Sequence, residues 1–164
     1  MTDAAPAPDA NALSDTTRAA SDAAARGLAV DFVVRDGTGR PTNADFGGAQ
    51  IVKSVVVQRG DSFVFVLTPL DGQFNWAKLR AHLGVNRLSL PDADAAFAAT
   101  GYKRGTITPL GSSTAWPVII DESLSGQTVV VGAGSPGVGA LVHADELARA
   151  YGADVVQLTS AATE

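Results

Sequence analysis

The stretch Gln50-Ile51-Val52-Lys53-Ser54-Val55-Val56-Val57 decides how the rest of the chain is read. Its β-branched residues predict a buried strand. Lys53 interrupts that run. An unpaired ammonium in a packed interior is costly, so a lysine here needs a partner, a polar cavity or a path to water. Two readings stand: a stem that runs along an edge strand to solvent, or a lysine on the wall of a pocket. A second stretch favours the pocket: Gly101-Tyr102-Lys103-Arg104-Gly105-Thr106-Ile107-Thr108-Pro109-Leu110-Gly111. Three glycines and a proline make it too rich in backbone specialists for a plain connector.

The 164 residues suffice for one domain with a real core, and a hydrophobic content of 46% is a globular value. With no cysteine, disulfides and thiolate metal sites are excluded, and a reducing compartment fits. His82 and His143 lie far apart, which argues against a histidine-based metal site. No apolar run reaches the length of a membrane span, and the N-terminus lacks the basic start and apolar centre of a signal peptide. The expected location is the cytoplasm. A net charge of −5 argues against a broad non-specific nucleic-acid surface. It leaves room for a small basic rim drawn from Lys53, Lys78, Arg80, Arg87, Lys103 and Arg104.

Residues 1–12, rich in Ala, Pro and Asp, read as a disordered tail ahead of a domain at 13–160. Ser14 and Asp15 are candidate caps for an alanine-rich helix over 16–26. Strands are predicted at 28–34, 51–58, 63–68, 85–90, 116–120, 128–131 and 155–158, with a loop at 36–41 and a hairpin turn at 59–62. Helices are predicted over 73–83, 92–100 and 143–151. Residues 42–50 fit neither pattern. Strands and helices mix without strict alternation, so the fold class is α/β of the mixed α+β kind.

Gly132-Ala133-Gly134-Ser135-Pro136-Gly137 matches the G-x-G-x-x-G fingerprint of a dinucleotide site. Pro136 removes a backbone donor that a pyrophosphate would use, and the next helix starts too late. A glycine-rich strand exit beside the pocket is the better reading.

Three stretches now fall into a known order and spacing: Ile51 to Val57, the glycine loop 101–111, and Val118-Ile119-Ile120-Asp121-Glu122-Ser123-Leu124. Val129-Val130-Val131 before a glycine turn and the late Asp145-Glu146-Leu147 helix extend it. Over about residues 28–160 the chain resembles the YbaK / prolyl-tRNA-synthetase-associated domain family. The resemblance implies a single domain built on a curved, mostly antiparallel sheet with surrounding helices. It implies an aminoacyl-tRNA deacylase that hydrolyses the ester of mischarged tRNA in trans, Cys- and Ala-tRNA for proline among the candidates. The partners it implies are aminoacyl-tRNA, met at its terminal adenosine and amino acid, and an aminoacyl-tRNA synthetase; it implies no metal and no organic cofactor. Lys53 becomes the pocket lysine and Gly105 its catalytic companion, with substrate-binding positions at Thr106, Thr108, Pro109, Gly132 and Gly134. An activated ester needs little beyond orientation and oxyanion stabilisation, which suits one ammonium and a bare main chain. The chain also departs from the family pattern. Gly132 stands where many deacylases have serine, Gly139 where they carry aspartate, Thr106 where the loop's second glycine falls, and Val34-Arg35-Asp36 where a tyrosine is common. Those glycines leave a second reading open, a binding module of the same fold that holds an aminoacyl-adenosine-like ligand or a synthetase without turnover.

Ser54, adjacent to Lys53, points to the opposite face of a strand and reads as a packing or hydrogen-bonding residue. Asp121 reads as a turn cap ahead of a catalytic base. Trp76 and Trp116 read as packing residues ahead of stacking platforms for adenine.

Overall fold

The computed structural model describes residues 10–35 and 41–159, with side chains from Thr17 onward. Most of the expected tail, residues 1–9, and most of the expected 36–41 loop lie outside the described residues. Helix α1 (Ala10–Ala25) starts six residues before the expected 16, so Ser14 and Asp15 fall inside it rather than capping it. It closes where the Leu28 N–H donates to the Ala23 carbonyl at 2.9 Å. Strand β1 (Asp31–Val34) follows.

The ambiguous stretch resolves into a 3-10 turn, Asn43–Phe46, at whose start the Thr42 N–H donates to Asp45 Oδ2 at 2.9 Å. Strand β2 (Gln50–Arg59) then runs ten residues and returns through Gly60-Asp61 as β3 (Ser62–Pro69). Helix α2 (Trp76–Leu83) is shorter than the predicted 73–83, because Asn75 takes the cap position and accepts from the Lys78 N–H at 3.1 Å. Residues 85–90 form no strand; Ser89 makes one isolated bridge, to Gln58. Helix α3 (Ala93–Thr100) is capped by Asp92, which accepts from the Ala95 N–H at 2.8 Å. Strand β4 (Val118–Asp121), strand β5 (Thr128–Gly132), strand β6 (Val138–His143), helix α4 (Ala144–Tyr151) and strand β7 (Asp154–Val156) complete the chain. β6 was not foreseen. Its Gly139 and Ala140 lower strand propensity, and it holds because β1 pairs on one side and β5 on the other.

Among the described residues, the strands make one mixed seven-stranded sheet in the order β1-β6-β5-β2-β3-β4-β7, with four helices packed around it in a single α/β domain. The β1–β6, β5–β6 and β2–β3 ladders are antiparallel and are the longer ones; β2–β5, β3–β4 and β4–β7 are parallel.

Period-two alternation sends β2 side chains to two different cores. Val52 and Val56 join Phe65, Leu67, Val129 and Val131 in the main core, which α1 covers with Ala19 and Ala23 and α4 with Ala144 and Leu147. Val57 joins Val64, Val66 and Ile119 on the other face, under Leu79 of α2. Burying each such valine or leucine contributes about 1.5–3 kcal/mol. Ile51 and Val130 pack with Phe46 of the 3-10 turn in a third, smaller cluster.

Asp121 is fully buried at the end of β4. One carboxylate oxygen accepts from the Leu158 and Thr159 N–H groups at 2.8 and 2.9 Å; the other accepts from the Ser123 N–H, the Thr159 hydroxyl and, at very close range, the Ser123 hydroxyl. Burial opposes the charge, but the Ser123 hydroxyl and these N–H donors outweigh it and hold the carboxyl below the usual aspartate range. Asp121 is therefore the tie between β4 and the C-terminal segment, in keeping with a capping role.

Candidate active site

The β2–β5 ladder is only two residues long, pairing Gln50 with Val129 and Ile51 with Val130. Past that point the two strands part. β2 keeps its ladder with β3 but has no partner on its other edge, among the described residues, until the Gln58–Ser89 bridge. A cavity of about 790 Å³ occupies the opening. Both faces of the sheet contribute to its wall: Ile51, Phe46 and Val130 from one cluster, Val52, Val56 and Val131 from the main core. Lys53 and Ser54 therefore both line it, although adjacent residues of a strand point opposite ways.

The loop that precedes β4 crosses this opening. Gly105, Thr106 and Ile107 lie on its wall. Gly105 has φ +93°, a left-handed conformation that favours glycine, and nothing lies within 4 Å of where a Cβ would be. The turn is held by Thr106, whose N–H and hydroxyl both donate to the Lys103 carbonyl, at 3.0 and 2.8 Å. Gly132, at the end of β5, meets the loop from the other side. A Cβ there would stand 2.7 Å from the Ile107 carbonyl oxygen, so the main chains touch only because the side chain is missing. Gly139 is filled in a similar way, since a Cβ would meet Phe46 Cε1 and Val130 Cγ1, each at 2.7 Å. The space a side chain would need at these two positions is thus taken by the loop main chain and by Phe46 and Val130.

Of the positions singled out from the sequence, Lys53, Gly105, Thr106 and Gly132 meet at this cavity. Thr108, Pro109 and Gly134 do not reach its wall. Thr108 is fully buried and accepts from the Leu110 N–H at 3.2 Å, so it shapes the loop from within. Pro109 is buried beside it. Gly134 lies in the tight connection between β5 and β6. That connection joins two antiparallel strands, with Gly132 opposite Gly139, and no helix N-terminus follows it. The glycine fingerprint is therefore a hairpin and makes no pyrophosphate cradle.

The wall carries Arg35, Lys53 and Arg104 and no aspartate or glutamate among the described residues, in a chain whose net charge is −5. Arg35 is paired with Asp45 of the 3-10 turn at 3.4 Å. Lys53 is half-buried, and its ammonium has no hydrogen bond or ion pair among the described residues. Low-dielectric walls around unmatched positive charge raise the local concentration of anions. Of the basic rim expected from the sequence, only Lys53 and Arg104 are here; Lys78, Arg80, Arg87 and Lys103 are elsewhere. Arg35 and Phe46 were not foreseen, and no local pattern marks them. The Ser54 hydroxyl is buried without a partner among the described residues. Neither tryptophan lines the cavity. Trp116 packs edge-on to Phe63 and donates to the Ala99 carbonyl at 2.8 Å, and Trp76 packs against Phe74. Among the described residues, no group of three or more His, Cys, Asp or Glu could hold a metal ion, and no helix is long and apolar enough to cross a membrane.

Comparison with known proteins gives the family and the shared fold. The chain is 34% identical over 85 residues to a proline–tRNA ligase of Lactobacillus gasseri, 51% of this chain and 15% of the ligase. It is 36% identical over 63 residues to that of Thermosipho africanus, 38% of this chain and 11% of the ligase. The matches thus span a small part of either ligase. A crystal structure described as a candidate trans-editing enzyme for prolyl tRNA synthetase superposes with a TM-score of 0.82 at 22% identity, covering 96% of this chain and 99% of that one, which establishes the shared fold. Residues 42–150, which carry β2, the glycine loop and the β5–β6 hairpin, match the aminoacyl-tRNA editing domain family, and the chain belongs to it.

Proposed function

We propose that this domain is an aminoacyl-tRNA deacylase that acts in trans, in the cytoplasm, on the ester of mischarged tRNA. The observation that supports this reading is the cavity at the parting of β2 and β5, where Lys53 and Gly105 share a wall that, among the described residues, is free of carboxylates. A terminal adenosine brings a phosphodiester, which Arg35 and Arg104 suit as cations at the wall. The Lys53 ammonium serves the acyl oxygen as negative charge develops on it, and the exposed main chain around Gly105 can approach the same carbonyl closely. Water adds through its oxygen to the acyl carbon. The bond from that carbon to the ribose oxygen breaks, and the ribose oxygen leaves with a proton, giving free amino acid and tRNA. The chain's own residues bind, orient and stabilise charge; no cysteine is available as a nucleophile.

A second reading, a binding module that holds an aminoacyl-adenosine-like ligand or a synthetase without turnover, is favoured by Gly132 and Gly139, where packing leaves no room for a polar side chain. One assay separates them. The protein and its Lys53→Ala variant are incubated with a panel of mischarged tRNAs, Cys- and Ala-tRNA for proline among them, and ester loss is followed. Hydrolysis that disappears in the variant supports the deacylase. A panel left intact by the wild type, with retained binding of the charged tRNA, supports the module.

A further inference from the structure

The loop that presents Gly105 to the cavity is pinned at both ends to a helix that lies before the family-matched region. At its start, Arg18 of α1 donates to the Gly101 carbonyl at 3.2 Å, and its guanidinium lies 4.3 Å from the centre of the fully buried Tyr102 ring. At its end, the Gly111 N–H donates to Asp22 Oδ2 at 3.0 Å. The neck between is closed by the Tyr102 hydroxyl, which donates to the Leu110 carbonyl at 2.6 Å. The fit is close on both sides. A Cβ at Gly101 would be 2.9 Å from an Arg18 guanidinium nitrogen, and one at Gly111 would be 2.9 Å from the Arg18 carbonyl oxygen. The family match begins at residue 42, so none of α1 is part of it.

We infer that Arg18 and Asp22 are positioning residues, which set the height of the glycine loop over the cavity and so place Gly105 against the substrate carbonyl. The role rests on the deacylase reading above. Two tethers at the two ends of a short loop fix its rigid-body position, whereas one would leave a hinge. Burial works against charge on Asp22, but the Tyr151 hydroxyl, the Gly111 N–H and Arg26 hold its carboxyl below the usual range, so it is an ionised acceptor at neutral pH. Those other partners supply the control. Tyr151, on α4 and outside the loop, donates to Asp22 Oδ2 at 2.5 Å.

The test compares Arg18→Ala, Asp22→Ala and Asp22→Asn with Tyr151→Phe in the full chain. The first readout is hydrogen exchange at the Thr106 amide, whose bond to the Lys103 carbonyl reports the loop's turn and needs no substrate. The second is kcat and KM on a mischarged tRNA that the wild type hydrolyses. The expected result is that Arg18→Ala and Asp22→Ala speed Thr106 exchange and lower kcat by about tenfold or more, as small misplacements of a reacting group do. Asp22→Asn, which still offers an oxygen to Gly111, restores much of both. Tyr151→Phe lowers the unfolding temperature while leaving exchange and kcat near wild type. The inference is overturned if Tyr151→Phe matches Asp22→Ala in exchange and turnover, or if neither α1 variant alters Thr106 exchange. If the wild type hydrolyses nothing, the deacylase reading fails by itself and the exchange result still decides whether α1 positions the loop. If Asp22→Ala does not fold, Arg18→Lys, which keeps the charge and loses the planar fork, takes its place.

Discussion

Lys53 and Gly132 occupy the same register on neighbouring parallel strands, two steps beyond the last bridge between them, Ile51 to Val130. Were the ladder to continue, they would be partners. Instead the strands have parted, and each residue stands on the wall of the cavity that opens there. An isolated ammonium is placed opposite a position with no side chain.

That arrangement separates function from stability at Lys53. Because its ammonium has no ion pair among the described residues, replacing it leaves no buried carboxylate behind. Lys53→Met should keep the wild-type denaturation midpoint or raise it slightly, while ester hydrolysis falls about 100-fold or more, as it does when an oxyanion donor is lost. Chemical denaturation and a deacylation time course on the same preparation check both halves.

Gly132 should resist even the smallest addition. A methyl there would press on the Ile107 carbonyl oxygen, which belongs to main chain and can shift only by moving the loop. Gly132→Ala is expected to cost about 1–3 kcal/mol in urea unfolding, in the range of overpacked cores. Gly132→Ser should do no better, because its Cβ meets the same carbonyl oxygen. A variant as stable as wild type would show that the loop yields freely.

Gly139 and Phe46 should behave as a coupled pair. A Cβ at 139 would meet Phe46 and Val130 side chains, both at 2.7 Å, and Phe46 is 7% exposed. Gly139→Ala alone should lose about 1–3 kcal/mol. In a Phe46→Leu background the same change should cost less, giving an interaction energy of about 0.5 kcal/mol or more. A double-mutant cycle by thermal unfolding measures it; strict additivity would show that the two do not compete for space.

Asp121 should dominate the acid limb of stability. Asp121→Ala orphans several buried donors at once and is expected to cost about 3 kcal/mol or more. The folded carboxyl holds its proton less tightly than the unfolded one, so its contribution is whole above about pH 4 and is lost as pH falls from there through the folded value. Asp121→Asn should therefore be less stable at pH 7 and show a shallower loss as the pH falls below about 4 than wild type. Parallel acid titrations of the two unfolding midpoints test this.

What could be read from the chain beforehand follows physical lines. The β2–β3 hairpin was legible because β-branched runs flank a Gly-Asp turn, and that signal is local. The α3 and α4 helices were legible from Asp92 and from Gly152 at their ends. β6 was missed because its glycine and alanine describe no strand until two neighbours supply hydrogen bonds. The expected strand at 85–90 fails for the converse reason: its residues are suitable, but only Ser89 finds a partner. At the site, Lys53 stood out as a charge in an apolar run and the 101–111 loop by its glycines and proline, while Gly105 itself was singled out through the family resemblance. Arg35 and Phe46 did not, because a residue beyond a strand end and one in a 3-10 turn reach the cavity only through the way β1 pairs with β6 and the turn packs on Ile51.

The short β2–β5 ladder has an evolutionary consequence. A cleft whose location is dictated by where two strands diverge does not depend on any one side chain for its existence. Wall residues other than the tightly packed Gly132 and Gly139 can then be exchanged to change its lining, while the parting of the strands keeps the hollow in place.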